Sequence, residues 1–215
     1  MMRLVLLCLL ALMSACGAGR QPGEGLPFYD SADFTPRWSL DSAHRVSDFT
    51  LTSQTGAPVH GRDLRGRMHV ASFFFTTCTT ICPLLVETLG RAQSALAAQP
   101  DVVLVSYSVT PTIDTPEVLD AFGTAHGIDP ARWTLLTGPA DDIYRLARES
   151  YFADDRRLDP SQPAATQILH TEKVLLVDHD GRLRGVYNGT VPFDIERLLG
   201  DIETLRRAHA TTRSQ

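Results

Sequence analysis

Ser72-Phe73-Phe74-Phe75-Thr76-Thr77-Cys78-Thr79-Thr80-Ile81-Cys82-Pro83 is the stretch on which the reading of this chain turns. It starts as the end of a nearly continuous apolar run over 69–75, the mark of a strand covered on both faces. Beyond it Leu85, Leu89, Ala92 and Leu96 take up helical spacing, which predicts a helix over about 82–97. Two cysteines therefore sit where a buried strand turns into a helix. Residues i and i+4 of a helix share a face, with Cα atoms roughly 6 Å apart. Two sulfurs so placed can hold one ion, and the same separation admits a disulfide. The positive end of a helix favours negative charge, so at least one thiol should ionise more readily than a free cysteine. A thiolate pair is a soft donor set suited to Cu(I), zinc or an iron–sulfur cluster. A structural disulfide is the other reading of the pair alone.

Working outward, residues 49–52 alternate as a half-buried strand does, 56–58 read as a turn and 61–67 as a loop. Residues 102–109 form a second buried apolar run. Asp114-Thr115-Pro116-Glu117 opens a helix to about Ala125, with Thr115 as cap, Pro116 in the first turn and Glu117 at the positive end. A short strand over 133–136, a helix over 141–150 and a long polar loop over 151–167 follow. Residues 172–177 and 183–188, joined by Asp178-His179-Asp180-Gly181, read as a β-hairpin. A last helix covers about 193–207, ahead of a frayed tail. Buried parallel strands followed by an antiparallel pair suit a three-layer α/β/α sandwich with a C-terminal hairpin and helix. Cysteines at the end of the first buried strand make that sandwich thioredoxin-like.

The chain of 215 residues has room for one domain plus a leader and a tether. Met1-Met2-Arg3, an apolar run over 4–13 and Ser14-Ala15-Cys16 read as a signal peptide over 1–15. The run is roughly 10 residues where a membrane span needs about 20. Leu12-Met13-Ser14-Ala15-Cys16 also resembles a bacterial lipobox, which implies export and lipidation at Cys16. Residues 16–45 are then a Gly- and Pro-rich tether and 46–208 the folded domain. Of the four cysteines, Cys8 leaves with the leader and Cys16 carries lipid, so Cys78 and Cys82 alone remain in the domain. The net charge is −5 and no Lys/Arg stripe appears, which argues against a nucleic-acid partner.

A third ligand is in prospect. His170, in Gln167-Ile168-Leu169-His170-Thr171-Glu172, precedes the strand expected to pack beside the first buried one. Two thiolates and an imidazole make a three-ligand set that prefers copper. The remaining histidines (His44, His60, His69, His126, His179, His209) read as solvated or structural.

These motifs resemble those of the Sco/SenC copper chaperones. The Cys-x3-Cys-Pro stretch carries the likeness, supported in order by 105–111 with 114–119, by 133–138, and by His170 with 177–184. The resemblance covers about residues 26–200. It implies a thioredoxin-like fold and one copper ion, Cu(I) or Cu(II), held by Cys78, Cys82 and His170. It further implies loading of the copper-bearing subunit of cytochrome c oxidase, or service to another copper or thiol protein. The departures are Thr79-Thr80, where many members have Pro-Asp, and Leu169-His170-Thr171, where many have Asp-His-Ser. The expected place is the outer side of a bacterial cell membrane, lipid-anchored and facing the periplasm or cell exterior. The alternative is an extracytoplasmic thiol–disulfide oxidoreductase with Cys78 and Cys82 as its redox pair. Phe75 and Ala71 stand where a peroxiredoxin-type peroxidase has its Thr and Pro, which argues against that activity.

Overall fold

The structure, a computed structural model, describes residues 25–39, 44–154, 169 and 171–213. Among them seven strands form one mixed sheet: β1 (Thr50–Ser53), β2 (Pro58–His60), β3 (Met68–Phe74), β4 (Val102–Ser108), β5 (Trp133–Thr137), β6 (Lys173–Val177) and β7 (Leu183–Asn188). Their order across the sheet is β2-β1-β5-β4-β3-β6-β7. β3, β4 and β5 run parallel, while β1 and β2 on one side and β6 and β7 on the other are antiparallel. Four helices complete the layers: α1 (Cys82–Ala95), α2 (Pro116–Ala125), α3 (Ala140–Arg145) and α4 (Pro192–Arg213).

Strand alternation sorts the side chains between two cores. Met68, Val70 and Phe74 of β3 join Val102 and Leu104 of β4 under α1, α2 and α4. Ala71 and Phe73 join Val103, Val105 and Tyr107 on the opposite face, under α3 and the turn after it. Both faces of β3 and β4 are covered, which is why their sequences read as unbroken apolar runs. Each large side chain so buried contributes roughly 1.5–3 kcal/mol. Ser72 and Ser106 interrupt the runs without cost, because their hydroxyls meet at 2.6 Å and Trp133 Nε1 donates to Ser106 at 2.8 Å.

Several boundaries differ from those expected. β2 pairs with β1 where a turn was expected at Pro58, and Gly61–Leu64 is one 3-10 turn rather than open loop. The helix over 141–150 is α-helical only as α3; Leu146–Ser150 widens into a π-turn closed by Tyr151 N–H to Leu146 C=O at 3.0 Å. That turn delivers Tyr151 fully buried beside Tyr107 and His69. α4 continues to Arg213, past the tail expected from about residue 208. Residues 26–38, read within the tether, dock on the sheet: Phe28 bridges Arg37, Tyr29 bridges Leu183, and Arg184 holds the Leu26 and Pro27 carbonyls.

The hairpin turn follows its sequence. Asp178 Oδ1 accepts from the backbone of Asp180 and Arg182, and Gly181 supplies the left-handed residue at φ 80°.

Candidate metal centre

β3 ends at Phe74, and the chain makes a turn through Thr76 and Thr77 before α1 starts at Cys82. Cys78 therefore lies ahead of the helix, and the two cysteines are not stacked on one helical face as their spacing suggested. They meet because the loop folds back. The Cys82 backbone N–H, the first of the helix and without a partner inside it, donates to Cys78 Sγ at 3.4 Å. A sulfur takes the place that a capping oxygen usually fills, since Ile81 at the N-cap has no side-chain acceptor. Thr80 Oγ1 lies 3.7 Å from the same sulfur. Cys78 and Cys82 are both buried and both free thiols, flanked by exposed Thr79 and Thr80. The structural-disulfide reading does not describe this state.

This arrangement splits the two thiols. Burial pushes Cys78 up, but the hydrogen bonds from the Cys82 thiol and backbone and from Thr80 outweigh it and bring Cys78 down to about 7. At Cys82, burial and donation of its proton to Cys78 push the thiol up to about 12, with the charges of Cys78 and Asp114 adding. The expectation of one readily ionised thiol at the helix start is met by Cys78, and Cys82 is the proton holder.

Behind the loop stands a residue that the sequence did not single out. Asp114, fully buried, accepts from Thr76 N–H at 3.2 Å, Thr76 Oγ1 at 2.5 Å, Ser108 Oγ at 2.5 Å and Thr110 Oγ1 at 3.0 Å. Its neighbour Thr115 caps α2 as expected, through Val118 N–H.

His170 lies outside the described residues, as do Cys8 and Cys16. Leu169 and Thr171 on either side of His170 are buried. β6 runs antiparallel to β3, so its first residues lie at the end of the sheet where β3 gives way to the cysteine loop. Gly189, after β7, closes that end: its N–H bonds Glu172 C=O at 2.7 Å and its C=O accepts from Thr88 of α1. Among the described residues, no three His, Cys, Asp or Glu side chains stand together as a metal-ligand set. The cysteine pair supplies two soft donors, which fits a thiophilic ion and leaves a third position to be filled.

The other histidines have structural surroundings where they are described. His69 is buried rather than solvated, with Nε2 3.0 Å from Tyr151 OH. His44 meets Ser150 C=O, His60 meets Thr50, His126 packs on Phe122, and His179 stacks on His209 at 3.8 Å.

The cysteine loop thus leaves β3, next to the central strand β4 of the seven-stranded sheet. The SCO1/SenC family model matches residues 39–207. The chain belongs to the SCO1/SenC family. Among solved relatives, a SCO1/SenC family lipoprotein from Bacillus anthracis is 31% identical, with a TM-score of 0.67 over 76% of this chain and 95% of that one. BsSco, described as a member of the Sco family of cytochrome c oxidase assembly proteins and carrying a disulfide switch, is 30% identical. Its TM-score is 0.65 over 75% of this chain and 93% of its own. ScoI of Bradyrhizobium japonicum, solved with copper bound, is 25% identical, with a TM-score of 0.53 over 72% of this chain and 99% of that one. The thioredoxin-like sandwich of this SCO1/SenC chain is thus the fold of its relatives. No helix among the described residues is long and apolar enough to cross a membrane.

Proposed function

We propose that this SCO1/SenC protein is a copper metallochaperone that takes one copper ion on Cys78, Cys82 and His170 and helps load the copper centre of cytochrome c oxidase. The observation that carries the reading is the paired, reduced sulfurs at the start of α1, one of them poised to ionise near neutrality. Copper-bound and oxidase-assembly relatives support the choice of cargo. The burial of Leu169 and Thr171, at the end of β6 nearest the cysteine loop, supports His170 as the third ligand. Copper is cargo here, so release matters as much as capture. A partner's thiolates or imidazoles displace the ligands one at a time, and Cys82, which regains its proton readily, is the sulfur to leave first.

Export and lipidation at Cys16 belong to the same proposal, supported by the lipobox and by the lipoprotein relative. With the chain from Leu26 docked on the sheet, about ten residues are left for a tether from Cys16, which holds the copper site near membrane-embedded partners.

The test is copper binding by the reduced domain. Wild type is expected to bind one ion. Cys78→Ser and Cys82→Ser should abolish tight binding, and His170→Ala should weaken it with the fold intact. Undiminished copper in His170→Ala would remove His170 from the site.

The split between the thiols also favours a second reading, a thiol–disulfide oxidoreductase. Cys78 as thiolate would attack a partner's disulfide and expel one of its sulfurs, forming a mixed disulfide. Cys82 would then attack Cys78, releasing the partner's second sulfur. The partner gains two electrons and two protons, and Cys78 and Cys82 end as a disulfide. Reduction of an oxidised copper-free oxidase subunit by the copper-free protein, at rates that match turnover, would favour this reading.

A further inference from the structure

We infer that Asp114 is the positioning residue of the cysteine loop, a buried carboxylate that fixes Thr76 and places a negative charge behind the pair. The inference rests on the copper reading only for what that charge does to the cargo. Asp114 is fully buried, and its four donors (Thr76 N–H and the Thr76, Ser108 and Thr110 hydroxyls) are all uncharged. Four donors and no acceptor around it are the surroundings of a carboxylate. Among the described residues, no cationic side chain forms an ion pair with it.

The cluster joins two strand ends. Ser108 is the last residue of β4, Thr110 follows it, and Thr76 begins the turn that carries Cys78 two residues later. Val109 N–H also bonds Phe74 C=O at 2.9 Å, so the ends of β3 and β4 are already clamped where Asp114 works. Thr76 is the only residue of the loop that Asp114 holds, and it holds both its backbone and its side chain. Because the carboxylate sits on the backbone and hydroxyl of Thr76, two residues before Cys78, its charge is placed directly behind the cysteine loop. A buried charge with no counter-ion attracts a cation beside it, and a doubly charged ion more than a singly charged one. Asp114 therefore both holds the loop and tilts the site towards Cu(II).

The experiment compares wild type with Asp114→Asn, Thr76→Val and Ser108→Ala. The first removes the charge with little change of shape; the other two keep the charge and each removes one hydroxyl donor. In metal-free, reduced protein, amide hydrogen exchange over 76–82 should quicken at least about fivefold in Asp114→Asn and Thr76→Val, with β3 and β4 unchanged. Dissociation constants for Cu(I) and Cu(II) are then measured separately by competition with chelators. Asp114→Asn should weaken Cu(II) at least about tenfold more than Cu(I), because the doubly charged ion loses twice the attraction to the carboxylate. Thr76→Val should weaken both alike. Unchanged loop exchange in both variants overturns the positioning role. Equal loss for the two oxidation states in Asp114→Asn overturns the role of the charge. If Asp114→Asn does not fold, Thr76→Val and Ser108→Ala decide the positioning role through exchange. A wild-type protein that takes neither ion overturns the copper reading, while the exchange data still judge Asp114.

Discussion

His69 makes the stability of this domain fall in mild acid, by an amount that burial sets. It is 2% exposed on β3, and its Nε2 lies 3.0 Å from Tyr151 OH, which in turn meets Tyr107 OH at 2.8 Å. Burial pulls the imidazole down from 6.5 to about 3, so the folded protein keeps it neutral where the unfolded chain protonates it. Between those values the unfolded state binds the extra proton, and stability must fall as pH falls. Each pH unit below 6.5 then takes about 1.4 kcal/mol, or about 2 kcal/mol between pH 7 and pH 5. The assay is urea unfolding of wild type and His69→Gln at both pH values. The glutamine costs some packing at either pH, but it cannot titrate, and every other ionisable group is common to the two proteins. Wild type should lose about 2 kcal/mol more than the variant on acidification. Parallel losses would refute the argument and mean that the native state accepts the proton on His69.

Other consequences are as direct. In reduced, copper-free protein, alkylation by an uncharged haloacetamide should rise at Cys78 through about pH 7, while Cys82 reacts only in strong alkali. Mass spectrometry of the labelled peptides reads both, and a Cys78 midpoint near 9 would contradict the hydrogen-bonded sulfur. Cys82→Ala, which removes the donor altogether, should move that midpoint upwards. Gly189→Ala should destabilise the domain by about 1–3 kcal/mol, read from urea midpoints. Its new methyl would run into Leu85 Cδ1 and Val174 Cγ2. An unchanged midpoint would show that β6 and α1 do not meet as tightly as described.

The central sheet and its helices were legible because their signals are local. Two-sided burial of β3 and β4 writes unbroken apolar runs, and Thr115-Pro116-Glu117 writes a helix start in three residues. β2 was missed because three edge residues beginning at Pro58 carry no alternation. The docking of residues 26–38 was missed because single bridges and Arg184 stacked on Phe28 leave no periodic trace. Cys78 and Cys82 were found by type and spacing, yet the reason they meet was not. The helix rule stacks i and i+4 side chains, whereas here a backbone N–H at the helix start reaches back to the sulfur. Asp114 was read only as part of a helix opening and of one block of the resemblance, since nothing in its neighbourhood tells a buried carboxylate from a solvated one. Its one legible trace is the surplus of hydroxyl residues at Thr76, Ser108 and Thr110.

The grip of Arg184 on the N-terminal segment also makes the domain a mechanical part. Its guanidinium lies 3.9 Å from the Phe28 ring centre, donates to the Leu26 and Pro27 carbonyls, and pairs with Asp178 at 3.0 Å. Tension arriving from upstream of Gly25 therefore enters through β7, an edge strand, and passes along its antiparallel ladder into β6. Drag on the chain is borne by the hairpin before it can reach the parallel strands and the cysteine loop.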